Sequence, residues 1–237
     1  VDAATYYWDT NGVTAGFGTA SGTWDTAPSG SAFFSTSSAG TATTTTATTT
    51  TADSLNFGSA TNGLNPGTVT VSGNQTINNL TSSVQSGNIT LSGGTINLGG
   101  TSPSLTDTHT DAAATAFTIS SQLAGSDGLT KLGTGRVILS GSNTYSGATV
   151  VDAGVLQANS STAFGNTSGI SLTAKAAGTG TAAGTALQLA NGVTINKSIT
   201  LNSVNVGTLR TALVSFSGNN EWSGGVTLQG DGLTRFN

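Results

Sequence analysis

The sequence contains no cysteine and no methionine, and of its 237 residues only 6 are Lys or Arg and 10 are Asp or Glu. Without cysteine there is neither a disulfide framework nor a zinc-thiolate site. Six cations and a formal net charge of -4 leave no electrostatic footprint for nucleic acid or an anionic membrane surface. Lys131, Arg136, Lys175, Lys197, Arg210 and Arg235 are too dispersed to line a basic groove. No run approaches the roughly 18 consecutive apolar residues that a membrane-spanning helix requires. The helix formers Lys and Glu are scarce, Glu221 being the only glutamate, so a helical protein is excluded. The deficit is in charge and not in apolar residues, since mean hydropathy is +0.04, so the composition is not that of a disordered chain.

What fills the chain instead is Gly (34 residues) and a large share of Ser and Thr, with β-branched residues throughout. Of the aromatics, Tyr6, Tyr7, Trp8, Phe17, Trp24, Phe33 and Phe34 crowd into the beginning, where Trp8-Asp9-Thr10 recurs as Trp24-Asp25-Thr26. A Thr-rich run follows from Thr41 to Thr51. Thr is stiff at χ1 and favours extended structure, so this run reads as strand, with an exposed or glycosylated linker as the alternative. The first residues, Val1-Asp2-Ala3-Ala4-Thr5, carry neither an initiator Met nor an apolar leader core. Either a leader has been removed or the sequence is a piece of a longer one.

From Asp53 onward one pattern repeats. Gly67-Thr68-Val69-Thr70-Val71-Ser72-Gly73, Gly87-Asn88-Ile89-Thr90-Leu91-Ser92-Gly93, Gly94-Thr95-Ile96-Asn97-Leu98-Gly99 and Gly135-Arg136-Val137-Ile138-Leu139-Ser140-Gly141 are short strands punctuated by Gly. In the first three, Val69 with Val71, Ile89 with Leu91 and Ile96 with Leu98 share one face, and Thr, Ser or Asn take the other. A longer echo carries Ser140-Gly141-Ser142-Asn143-Thr144-Tyr145-Ser146-Gly147 to Ser217-Gly218-Asn219-Asn220-Glu221-Trp222-Ser223-Gly224. Self-similarity of this kind marks stacked architectures. The fold class is all-β, a right-handed parallel β-helix (β-solenoid). At about 20 to 23 residues per coil, the part from Asp53 makes about eight coils at the usual strand spacing of about 4.8 Å. Residues 1–52 form an N-terminal cap region and 53–237 the solenoid, continuing or covered by a partner at its far end, because a solenoid end exposes unpaired backbone and apolar core.

The segment from Gly128 to Gln157 resembles the autotransporter-associated β-strand repeat, the passenger-associated transport repeat of large bacterial surface and secreted proteins. The likeness lies in Gly128-Leu129-Thr130-Lys131, the Gly133-Thr134-Gly135 step, Ser140-Gly141-Ser142-Asn143-Thr144-Tyr145-Ser146-Gly147 and Val151-Asp152-Ala153-Gly154-Val155-Leu156. Arg136-Val137-Ile138 departs from the pattern, at an outward-facing position by expectation. Tyr7-Trp8-Asp9-Thr10-Asn11-Gly12 resembles the start of mature proteins with these repeats, and Ser217–Gly224 a recurrent turn further along them. The resemblance implies export, a right-handed β-helix and a surface or adhesive role, and implies no active site.

Candidate chemistry is sparse. Asp107-Thr108-His109-Thr110-Asp111 alternates so that Asp107, His109 and Asp111 share one side of a strand, within reach of a metal. Its flanks, Ser102-Pro103-Ser104 and Ala112-Ala113-Ala114, favour a solvated loop between coils, and no metal or cofactor is assigned. Asp9-Thr10-Asn11-Gly12 resembles the opening of a calcium loop but lacks the acidic twelfth ligand, so an Asx-type turn is the reading. Asp2, Asp9, Asp25, Asp53, Asp127, Asp152 and Asp231 are scattered and offer no paired carboxylates of a glycosidase. Trp8 and Trp24 serve as cap residues in preference to sugar-stacking platforms. The expectation is a non-catalytic extracellular or cell-surface segment, a scaffold, spacer or adhesin of an exported bacterial protein. Its alternatives are a fibre subunit stacking head to tail and a carbohydrate-binding or carbohydrate-active β-helix. The partners expected are the chain itself or surface glycans, with neither nucleic acid nor membrane insertion.

Overall fold

The structure, a computed structural model, describes residues 2–28, 31–83, 85–110, 115–173, 185–203 and 213–230. All its regular elements are short strands, stacked into a parallel β-helix. One face is a ten-stranded sheet in which strands beginning at Thr5, Ser54, Asn79, Ser104, Leu129, Thr149, Ile170, Ile199 and Val226 lie side by side in parallel, with Phe34–Ser35 antiparallel at the edge. A second face of eight strands begins at Thr23, Gly67, Ile89, Phe117, Arg136, Val155, Ala186 and Leu213. The third side is a three-stranded sheet (Asn74–Ile77, Thr95–Leu98, Gln122–Ala124) and later a two-stranded one (Thr194–Ile195, Glu221–Trp222).

Alternation along each strand sets the register, because a one-residue slip would exchange the apolar and polar faces. In the ten-stranded sheet Leu55, Leu80, Leu105, Lys131, Val151, Leu172, Leu201 and Leu228 are successive partners in one inward column. Every member from Leu55 to Leu201 is buried. Each Leu side chain removed from water there stabilises the stack by about 1.5–3 kcal/mol, but only with a neighbour above and below. Opposite it runs Ile89, Phe117, Val137, Leu156 and Leu187, also fully buried. The outward column beside this one is Thr68, Thr90, Thr118, Ile138, Gln157, Gln188 and Val214.

The all-β class, the parallel solenoid and the shared faces of Val69/Val71, Ile89/Leu91 and Ile96/Leu98 hold as read from the sequence. Rung length is more variable than expected: Lys131 to Val151 takes 20 residues and Leu172 to Leu201 takes 29. Strands stay short, two to five residues, while the turns between them differ more in length. The strand reading of the Thr run does not hold. Residues 41–51 contain only an isolated antiparallel bridge, Phe34 to Thr45. β-Propensity needs a neighbouring edge to express itself. Here the run uses its hydroxyls to tie loops together instead: Thr48 Oγ1 accepts from Ala27 N–H at 3.1 Å, and Thr50 Oγ1 donates to the Asp53 carboxylate at 2.9 Å.

The first rung is closed by aromatics. Trp8, Phe17, Trp24 and Phe34 are buried, Trp8 meets Phe33 and Phe34 edge-on at 5.5 and 5.4 Å, and Tyr7 stacks on Phe17 at 5.6 Å. The last described rung is open by comparison: Phe216, Val226 and Leu228 are each about half exposed, although Leu228 continues the leucine column.

Candidate functional site

Among the described residues, Asp107, His109 and Lys131 gather inside the solenoid, at the corner where the ten-stranded face turns into the eight-stranded one. Lys131 occupies a leucine position in the inward column and is fully buried. Its side chain runs toward the corner, where Nζ donates to the carbonyls of Leu132 (2.8 Å), Gly133 (2.8 Å) and Ala153 (3.0 Å). The ammonium therefore ties the turn of its own rung to the turn of the next. Burial pushes the lysine down to about 7, with the charge of Asp107 acting in the opposite sense.

Asp107 points inward two residues beyond Leu105 and is fully buried. Its Oδ1 accepts the His109 amide at 3.1 Å and pairs with His109 Nδ1, while Oδ2 has no hydrogen-bond partner. His109 Nε2 faces the Ser86 carbonyl oxygen at 2.6 Å, so both ring nitrogens face acceptors, the arrangement of an imidazolium. Burial pulls the His109 pKa down, but its bonds to Asp107 and Ser86 outweigh it, and the net direction is upward. Ser86 in turn donates to the Phe57 carbonyl at 2.7 Å and accepts from Leu64 N–H at 3.1 Å. A polar string thus runs from the Ser86 turn through His109, Asp107 and Lys131 to Ala153.

These positions correct the solvated-loop reading for Asp107 and His109: the strand Ser104–Asp107 continues the stack and carries both groups into the corner before the chain leaves it. Asp111 lies outside the described residues. Among the described residues no three His, Cys, Asp or Glu side chains come together as a metal-binding group. Buried as it is, the string presents no surface to a substrate; its chemistry is that of holding rungs together. The sequence did signal Lys131, since alternation from Leu129 places residue 131 inward.

Other carboxylates hold turns. Asp53 Oδ1 accepts from Ala4 N–H (2.8 Å) and Oδ2 from Thr50 N–H (2.7 Å), locking the cap to the first solenoid strand. Asp127 Oδ2 accepts from Gly100 N–H at 3.0 Å, and Asp152 Oδ1 from Thr173 Oγ1 at 2.9 Å. Trp8 and Trp24 are buried, so neither offers a ring face to a sugar. Asp9 opens an Asx turn, its Oδ1 accepting Asn11 N–H at 3.0 Å.

The repeated octapeptide also has a structural reason. Asn143 reaches up and down the stack, with Oδ1 accepting from Leu123 N–H (2.8 Å) and Nδ2 donating to Ala163 O (2.6 Å). Asn220 in the echo bonds only the rung before it and its own turn, with Oδ1 accepting from Val193 N–H (3.0 Å) and Nδ2 donating to Leu189 O (3.0 Å) and Ser217 O (2.9 Å). The buried Tyr145 hydroxyl shares a hydrogen bond with Thr149 Oγ1 (2.8 Å), Thr149 Oγ1 is bonded to Thr167 Oγ1 (3.1 Å), and Thr167 donates to Gly147 O (2.8 Å). Burial raises the tyrosine pKa, and the bond to Thr149 offsets only part of that.

What remains available to a partner is the outer surface. Thr68, Thr90 and Thr118 stand one above another on the eight-stranded face; further along their column come Ile138 and then Gln157, which is buried. Arg136, on the outward side of its strand as expected, places its guanidinium 5.8 Å from the centre of the Phe216 ring.

Residues 129–158 match the family described as passenger-associated-transport-repeat. Over 163 residues the chain is 39% identical to a protein named adhesin BmaC autotransporter from Brucella suis biovar 1 (strain 1330). That stretch is 69% of this chain and 4% of the Brucella protein, so the chain corresponds to a small part of its relative's length. No solved structure matches the chain.

Proposed function

The chain belongs to the passenger-associated transport repeat family, and on that premise we propose that it is a non-catalytic segment of an exported, cell-surface adhesin passenger. Its work is mechanical: it carries an adhesive surface on a stiff stem. The observation that supports this reading is the continuity of one hydrogen-bonded sheet from Thr5 to Gly230, whose backbone bonds run along the long axis of the solenoid. Stiffness of this kind needs neither disulfide nor cofactor. The buried ionisable groups are engaged in holding turns and rungs, which favours a structural role over catalysis. The outer faces offer hydroxyls in a regular column, Thr68, Thr90 and Thr118, groups suited to hydrogen-bonding a glycan or a matrix protein.

The test is adherence of beads coated at fixed density with the folded chain to cultured host cells, beside beads coated with heat-unfolded chain. Adherence that needs the folded state, and that falls when Thr68, Thr90 and Thr118 are replaced together by Lys, supports adhesion by this segment. Folded chain that does not adhere leaves the spacer role alone.

A second reading, self-assembly, is favoured by the exposure of Val226 and Leu228 in the last described rung. The closed aromatic cap opposes a head-to-tail version of it, because it offers that open rung no matching apolar face. Electron microscopy at rising concentration decides: filaments support assembly, and rods of constant length remove it.

A further inference from the structure

From Ser54 onward the turns vary widely in length at one corner of the solenoid and far less elsewhere. Three residues are enough to pass from the ten-stranded face to the eight-stranded one, as between Leu132 and Arg136 or between Val151 and Val155. Other rungs use more at the same corner: nine between Phe57 and Gly67, six between Ser82 and Ile89, nine between Asp107 and Phe117, and thirteen between Leu172 and Ala186. The way back to the ten-stranded face stays within seven residues (Val71 to Asn79) and eleven (Ser92 to Ser104). Closing a rung therefore does not require the longer turns. In repeat architectures, extra residues gathered on one edge are the usual sign of the edge that meets a partner, because they can change without disturbing the stack.

Two of these turns, 58–66 and 85–88, are bonded to one another and to their neighbours. Asn65 N–H donates to Gly18 O (2.8 Å), Ala20 N–H to Asn65 O (3.0 Å), Gly87 N–H to Leu64 O (3.0 Å) and Ala116 N–H to Asn88 Oδ1 (2.8 Å). Leu64 is buried and anchors the first turn, whereas the side chains of Asn65, Gln85 and Asn88 are exposed. The column of Thr68, Thr90 and Thr118 begins directly beyond these turns, so amides and hydroxyls share one shoulder, repeated at the rung spacing of about 4.8 Å. Residues 58–66 and 85–88 contain no Asp, Glu, Lys or Arg, and also no Trp, Tyr or Met. The charged and aromatic anchors of protein–protein interfaces are thus missing, while neutral donors and acceptors that suit sugar hydroxyls are dense. From this placement we propose that the shoulder formed by Asn65, Gln85, Asn88 and the threonine column is the adhesive surface of the segment, and that its ligand is an uncharged glycan. This rests on the adhesin reading and deepens it. Turns already tied into the stack lose little conformational freedom on binding, which favours the contact.

The test uses beads coated with the folded chain on host cells, either untreated or treated with periodate, which cleaves the vicinal diols of surface glycans. The expected result is adherence of wild type that is lost on periodate-treated cells. A variant carrying Asn65→Ala and Gln85→Ala should bind about tenfold more weakly, the effect of one or two lost hydrogen bonds. Asn74→Ala, exposed on the three-stranded side, should adhere like wild type. Melting curves check that each variant is folded; if the double variant is not, Asn65→Ala and Gln85→Ala made separately carry the test. A folded shoulder variant that adheres like wild type overturns the location and leaves the adhesin reading standing. Adherence that survives periodate overturns the glycan and assigns the receptor to protein. Wild-type beads that do not adhere to untreated cells overturn the adhesin reading and this surface with it.

Discussion

Replacing Lys131 by Met exposes what a charge costs inside a stack of leucines. The side chain is fully buried, and its pKa falls from 10.5 to about 7 in the folded state. Below pH 7 both folded and unfolded chains hold the proton, so the cost of burying the ammonium is present in full. Between pH 7 and 10.5 the unfolded chain binds a proton that the folded chain has released, so stability rises with pH. At about 1.36 kcal/mol per pH unit, the rise from pH 7 to 9.5 is about 3 kcal/mol. The window stops at 9.5 because Tyr145, whose pKa is raised by burial, penalises the folded state once free tyrosines begin to ionise. At neutral pH the variant removes the ammonium's desolvation but strips a donor from the carbonyls of Leu132, Gly133 and Ala153, so the two effects offset. The pH slope is therefore the decisive quantity. Urea unfolding at half-unit steps from pH 7 to 9.5 should show wild type gaining stability over the window and Lys131→Met gaining much less. Parallel profiles for the two proteins would refute the assignment of the slope to Lys131.

Three further outcomes follow from the same geometry. His109, held above its ordinary value of 6.5 by Asp107 and Ser86, contributes stability that is complete below pH 6.5 and is lost as pH rises through its folded pKa; an imidazole NMR titration should place that midpoint above 6.5, and a lower midpoint contradicts the double-acceptor arrangement. Asn143→Ala removes two hydrogen bonds from a buried position and should cost about 2–4 kcal/mol in thermal or chemical unfolding, while Asn220→Ala, with a more exposed network, should cost about 1 kcal/mol; equal losses would show that burial is not what separates the two repeats. Gly67→Ala drives a methyl into the Ala20 carbonyl oxygen, where the cap meets the strand Gly67–Val71 of the eight-stranded face, and should destabilise by about 1–3 kcal/mol; an unchanged midpoint would mean that the cap moves away at no cost.

Much of the architecture was legible from period and punctuation. Val69-Thr70-Val71 and Ile89-Thr90-Leu91 alternate too regularly to be anything but strands with one buried face, and Gly at their ends stops each after a few residues. Asn143 and Asn220 announced themselves by recurring in one octapeptide, although their role, Asn143 bonding the rungs on both sides and Asn220 the rung before it, needed the stack to be seen. The Thr run misled because strand propensity is local, whereas pairing requires an edge that this part of the chain meets at a single bridge, Phe34 to Thr45. Asp107 and His109 misled for the converse reason: polar neighbours in sequence suggested water, but the strand before them delivers both into a sealed corner.

The sequence by itself determined the class of the protein. A chain poor in charge, free of cysteine and rich in Gly, Thr and alternating apolar residues has no economical fold other than stacked short strands, since each strand hides one face only against its repeats. Tertiary structure alone decided which residues of distant rungs become neighbours. Alternation tells each side chain whether it points in or out, but the height at which it meets another depends on the lengths of the turns between, which vary from rung to rung. That is why Lys131 could be placed inward from its own strand, while its three carbonyl partners and its neighbour Asp107 appear only when the rungs and turns are closed.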